Sequence, residues 1–105
     1  MLFVDSLRHC LELALSLYDD NPNLLLYLIY DHINDKFFAL DFSYSNNVSF
    51  FQTNLHLVNC GKLLITDCKR ALALADFDSF ATRLADILAS SRNLGLHYVL
   101  STLIY

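Results

Sequence analysis

Hydrophobic residues recur along this chain with two different periods, and the switches between them divide it into elements. From a cap at Asp5 or Ser6, the residues Leu7, Cys10, Leu11, Ala14, Leu17 and Tyr18 follow helical spacing, while Arg8, Glu12 and Ser16 fall opposite. That is the pattern of an amphipathic helix with one wet face, and it predicts a helix over 6–18. Asp19-Asp20-Asn21-Pro22-Asn23 closes it, because proline disfavours helix in the residue before it and Asx side chains bond their own backbone.

Helical spacing then gives way to strand patterns. Residues 24–30, Leu-Leu-Leu-Tyr-Leu-Ile-Tyr, are apolar on both faces, which suits a central strand covered on each side; a buried helix is the competing reading. Over 36–44 the chain alternates: Phe38, Leu40, Phe42 and Tyr44 share one face, and Phe37, Ala39, Asp41 and Ser43 the other. This is a half-buried strand joined to its predecessor by the polar turn 31–35. Residues 48–58 are aromatic and β-branched, with Phe50-Phe51 breaking the alternation as a bulge would. A short strand over 63–66 follows the turn at Asn59-Cys60-Gly61-Lys62. The Ala/Leu repeat of 67–75 suits a short helix, with continuation of the strand nearly as compatible.

A second amphipathic helix starts at Asp76 or Asp78. Phe77, Phe80, Ala81, Leu84, Ala85, Ile87 and Leu88 make its apolar stripe, Asp78, Thr82, Arg83 and Asp86 its outside, and Gly95 its terminator. Residues 96–105 carry no formal charge and are rich in β-branched and aromatic side chains, which predicts a last interior strand. The expected architecture is a single compact α+β domain over 1–105, with element order α-β-β-β-β-α-β. A mainly antiparallel sheet of about five strands carries two amphipathic helices on one face.

Composition sharpens this picture. Only 17% of the residues are charged, against roughly 25% in an average domain. Net charge is -4, which argues against a sequence-independent grip on nucleic-acid phosphates. The charge is uneven, since 1–61 set Arg8 and Lys36 against Asp5, Glu12, Asp19, Asp20, Asp31, Asp35 and Asp41. Such an acidic half suits a partner with a basic surface. Cys10, Cys60 and Cys68 form no CxxC pair, so reduced thiols and a cytoplasmic location are the simpler expectation. The first residues lack a secretory pattern, and no apolar run approaches the roughly 18–20 residues of a membrane span.

Candidate chemistry is sparse. His56, Cys60 and Cys68 supply ligand types that suit zinc or a thiol-based enzyme or sensor, but at spacings unlike paired CxxC. His9 and Cys10 are adjacent on a helix and point about 100° apart, a poor nucleophile and base pair. The carboxylates lack the alternating ligand loop of a calcium hand. Gly61 and Gly95 stand far apart, so no phosphate-cradling turn is present. No catalytic residue, cofactor or metal site is therefore assigned. What remains is aromatic surface: a sheet covered by helices on one face leaves the other open, and aromatic residues are enriched in interface cores. The expected function is non-catalytic protein binding, of the small inhibitor, adaptor or chaperone type. It would act through Tyr27, Tyr30, Phe42 and Tyr44, bordered by Asp31, Asp35 and Asp41, and a structural homodimer is the alternative use of the same face.

Overall fold

A computed structural model of the chain describes residues 2–41, 60–90 and 101–104. Among these residues the element order is α1 (Leu2–Tyr18), β1 (Leu25–Asp31), β2 (Lys36–Asp41), β3 (Cys60–Leu64), α2 (Ile65–Leu72), α3 (Phe77–Ser90) and a single helical turn, α4 (Ser101–Ile104). The class is α+β, built on a three-stranded sheet in the order β2-β1-β3 with both neighbours antiparallel to β1. The expected five strands and their order are not matched.

β1 is central because its residues demand cover on both sides. Leu26, Leu28 and Tyr30 face the helices and join Phe37 of β2, Leu63 of β3 and the helical side chains in one core. Tyr27 and Ile29, on the opposite face, are buried as well, at 5% and 6% exposure. The strand is thus covered on each side, as its unbroken apolar run requires. That same burial corrects the expectation of an open aromatic face around Tyr27.

α1 begins at Leu2 rather than at residue 6, because Val4 extends the buried stripe of Leu7, Cys10, Leu11 and Ala14 by one turn. Ser6 is therefore inside the helix, not its cap. Its hydroxyl accepts the Phe37 N–H at 2.9 Å and lies 3.5 Å from the Phe37 carbonyl, to which it donates. Leu17, assigned to the apolar stripe by spacing, instead points outward at 67% exposure. The hydrogen bonds of the Asn21 N–H to the Tyr18 carbonyl and of the Leu24 N–H to the Asn21 carbonyl turn the chain into β1.

The β1–β2 hairpin registers Leu28 opposite Ala39 and Asp31 opposite Lys36. Asp31 organises the turn, with Oδ1 accepting the N–H groups of Ile33 and Asn34 and Oδ2 accepting the Asn34 side-chain amide at 2.7 Å. Asp35 closes it in the left-handed region at φ 58°, a conformation that aspartate tolerates better than most residues with a Cβ. Phe37 and Asp41 are the buried members of β2 and Phe38 is exposed, so the face that the sequence pattern presented as polar is the one turned to the helices.

β3 starts at Cys60, where a turn was expected, and its ladder with β1 carries on into the helix start through the Ile65 N–H to the Leu24 carbonyl. α2 follows without a loop and occupies Ile65–Leu72, burying Ile65, Cys68 and Ala71. The strand and helix expected over 63–66 and 67–75 are thus each displaced toward the N-terminus. Asp76 is the cap of α3, accepting the Ser79 N–H at 3.1 Å. The stripe of Phe77, Phe80, Ala81, Leu84, Ala85 and Leu88 is buried as spaced, except that Ile87 is exposed. Residues 101–104 form a helical turn whose Leu103 and Ile104 pack on the helical core. Tertiary packing there overrides the β preference of the side chains, correcting the expected last strand over 101–104; its residues 96–100 and 105 lie outside the described residues. The strand expected over 48–58 and the terminator Gly95 lie outside the described residues.

The Ser6–Phe37 pair is a polar tie between α1 and the edge of the sheet. Ser6→Ala leaves the Phe37 N–H without its partner, and urea denaturation should register a loss of about 1–3 kcal/mol. The exposed Ser16→Ala should stay within about 0.5 kcal/mol of the parent. Equal small effects for both would show that the hydroxyl does not hold the edge.

Candidate functional site

α1 presents two apolar ridges, not one. The first, through Leu7, Leu11 and Ala14, is buried; the second consists of Leu13 and Leu17, four residues apart and exposed at 49% and 67%. Residues four apart share a helix face, so the second ridge flanks the buried one and overhangs β2. Across from it stand Phe38, 47% exposed, and Leu40, half-buried. Between them runs a groove of about 460 Å³ that wraps the outer edge of β2.

Small side chains create this space. Cys10 and Ala14 line the helix side and Ala39 the strand side, with Leu26 and Phe37 also contributing to the lining. Larger residues at those three positions would close the gap by ordinary interior packing. Ser6 marks one end through its bonds to Phe37, and His9 and Lys36 supply the polar margin. Among the described residues no carboxylate lines the groove.

The binding residues expected from sequence are placed elsewhere. Tyr27 and Tyr30 are both buried in β1. The Tyr30 ring packs 4.8 Å from Phe37 and edge-on to Phe3, and its hydroxyl donates to Asp35 Oδ1 at 2.8 Å. Burial first, and then that bond to Asp35, push the Tyr30 hydroxyl up to about 12 from its ordinary 10.0. The Asp31 carboxylate is occupied by the hairpin turn, and its bond to the Asn34 side chain, followed by that to the Asn34 N–H, holds its pKa below the ordinary carboxylate value. Asp41 is buried at 7% exposure, on the face of β2 turned to the helices. Phe42 and Tyr44 lie outside the described residues. The structure thus brings Tyr30, Asp31 and Asp35 together as parts of one hairpin, where their polar groups are engaged within the chain.

The thiol site is not assembled by the described residues. His56 lies outside them, and Cys68 is buried in the helical core with its thiol donating to the Leu64 carbonyl at 3.7 Å. Cys10 and Cys68 are both pushed up to about 12 by burial, with repulsion from Cys10 and Asp67 adding to the effect at Cys68. At neutral pH they remain neutral thiols, the unreactive form. Among the described residues no three His, Cys, Asp or Glu side chains converge as metal ligands, and no helix is long and apolar enough to cross a membrane.

Other polar contacts brace α1 from behind. The Arg8 guanidinium lies 4.3 Å from the Phe77 ring centroid, and Lys69 pairs with Asp19 at 2.6 Å. The ion pair is more than half exposed and adds little to stability. The stack on Phe77 joins α1 to α3.

The groove was not assigned from sequence, although one signal for it was present. Leu13 falls outside the stripe that Leu7, Cys10, Leu11 and Ala14 define, and a large apolar residue there has no place in a single core-facing stripe. No protein-family model matches this chain, and comparison with curated proteins and with solved structures found no match.

The buried thiols and Tyr30 make a joint prediction. Cys10 and Cys68 should resist a thiol reagent at pH 8 until the protein unfolds. Each of the three groups is held neutral more strongly in the folded state, so the stability they confer is complete below their ordinary values of 9.0 for the thiols and 10.0 for Tyr30. It is lost as the pH climbs toward about 12. Melting curves across pH 8–12 check the sign, and stability rising with pH over that interval would contradict it.

Proposed function

We propose that this protein is a non-catalytic binding protein that takes a partner protein at the groove between α1 and β2. The observation that carries the reading is the gathering of Leu13, Leu17 and Phe38, three of the largest exposed apolar side chains, around one concavity. Single exposed hydrophobic residues are ordinary; several around one recess mark a contact surface. A chain with 17% charged residues and 55% hydrophobic ones has few ionic groups with which to cover such a recess.

Catalysis has less support. The groove contains one imidazole, His9, and one buried thiol, Cys10, whose raised pKa disfavours the nucleophilic form. Its volume also falls within the range of small-ligand pockets, but those are mostly enclosed and carry convergent polar groups. Here the walls include side chains as exposed as Leu17, so the recess is an open trough suited to a chain segment. The margin is Lys36 and His9, not the expected acidic border of Asp31, Asp35 and Asp41, and apolar contact supplies most of the affinity.

The test is a double substitution, Leu17→Asp with Phe38→Ser, at positions exposed enough that the fold should survive. Ile87→Asp, on α3, is the control. In affinity capture read by quantitative mass spectrometry, proteins retained by the parent should fall at least tenfold with the double variant and persist with Ile87→Asp. Undiminished capture by the double variant, equal loss in both, or no specific capture by the parent would each overturn the reading.

A further inference from the structure

We infer that the occupant of the groove is an extended segment of another protein, added as a strand to the outer edge of β2 and carrying a carboxylate that meets Lys36. This rests on the binding role just proposed and specifies its ligand.

The hydrogen bonds define which backbone groups face outward. Ser6 of α1 engages both the N–H and the carbonyl of Phe37, so those groups point away from β1. In an antiparallel ladder the direction alternates, and Ala39, two residues on, must point its N–H and carbonyl the same way. The opposite side of β1 agrees. The Leu24 carbonyl is taken by Ile65 on the β3 side, and Leu28, of the same parity and registered with Ala39, likewise turns its backbone groups toward β3 and away from β2. β2 stands at the edge of the sheet, and no described residue bonds the outward pair of Ala39. An edge strand with an outward donor and acceptor is a template for an extended chain.

Side chains and charge narrow the occupant further. An added strand presents alternate residues to each face of the sheet. On the helix face it meets the small residues Cys10, Ala14 and Ala39, and on the other face Phe38 and Leu40, so both sets of incoming side chains should be apolar. Among the described residues Lys36 is the one formally charged member of the lining, is exposed, and makes no ion pair. In a chain of net charge -4, this local cation selects a carboxylate and disfavours a basic segment. Ser6 occupies the edge at Phe37, so the segment is short and pairs at Ala39, with its carboxylate at the end that lies toward Lys36.

Panning a display library of random eight-residue segments against the full chain tests this. The enriched sequences should be apolar, extended-favouring and acidic. Synthetic versions should shift the Ala39 and Leu40 amide resonances, and Lys36→Glu should weaken them at least fivefold. Ala39→Pro removes only an outward N–H, a change that edge strands accept, and should weaken binding at least tenfold while the melting temperature stays near the parent's. Should Ala39→Pro fail to fold, the Lys36→Glu result and the amide shifts decide. Helical or basic sequences that bind in the groove would sink this inference and leave the binding role standing. No enrichment, or binding indifferent to both Leu17→Asp and Lys36→Glu, would sink the two together.

Discussion

Everything in this fold depends on hiding β1 completely. Five consecutive residues, Leu26 to Tyr30, are buried, which removes both faces of the strand from water. Its backbone must then find partners on both edges, because an unpaired peptide group in such a place costs as much as a lost hydrogen bond. β2 and β3 supply them on the two sides, and the three helices of α1, α2 and α3 bury the face of Leu26, Leu28 and Tyr30. The core contains Phe80, Leu7, Leu11, Leu26, Leu28, Leu63 and Ile65 as its largest enclosed apolar side chains. Each such side chain is worth roughly 1.5–3 kcal/mol relative to exposure.

The price of that arrangement is polar groups in awkward places, and each is answered locally. The Tyr30 hydroxyl reaches Asp35, the turn amides reach Asp31, and the start of α3 is capped by Asp76. No buried side-chain polar atom among the described residues lacks a partner. This explains why the carboxylates of the hairpin are poor candidates for a partner surface. They are the means by which the chain reverses direction between two strands that must stay in register.

Much of the framework was legible in the residue pattern. The α1 and α3 stripes apart from Leu17 and Ile87, the doubly covered β1 and the hairpin appear where the periodicity places them. What misled were positions where two rules disagree. Phe37 and Phe38 are adjacent and chemically alike, so alternation alone assigned the apolar face by majority, with Phe42 and Tyr44 in the vote; the observed choice is set by Ser6 and by the register with Tyr30. Asp41, the residue that made one face look wet, is buried there. At α2 a strand pattern meets a helix pattern within a few residues, and only the Leu24–Ile65 hydrogen bond locates the change. The groove was illegible for a different reason: it is a property of small residues on two separate elements, Cys10, Ala14 and Ala39, and a cavity leaves no mark on either stretch alone.

The bond between Ser6 and Phe37 also bears on what this molecule does in a crowd. Exposed strand edges invite copies of the same chain to stack without limit, the route by which soluble proteins become fibres. A hydroxyl from α1 occupying both hydrogen-bonding groups of Phe37 denies any second sheet a continuous run along β2. With those two groups of Phe37 engaged, a copy of the chain finds a shorter template along this edge than the strand's length would offer.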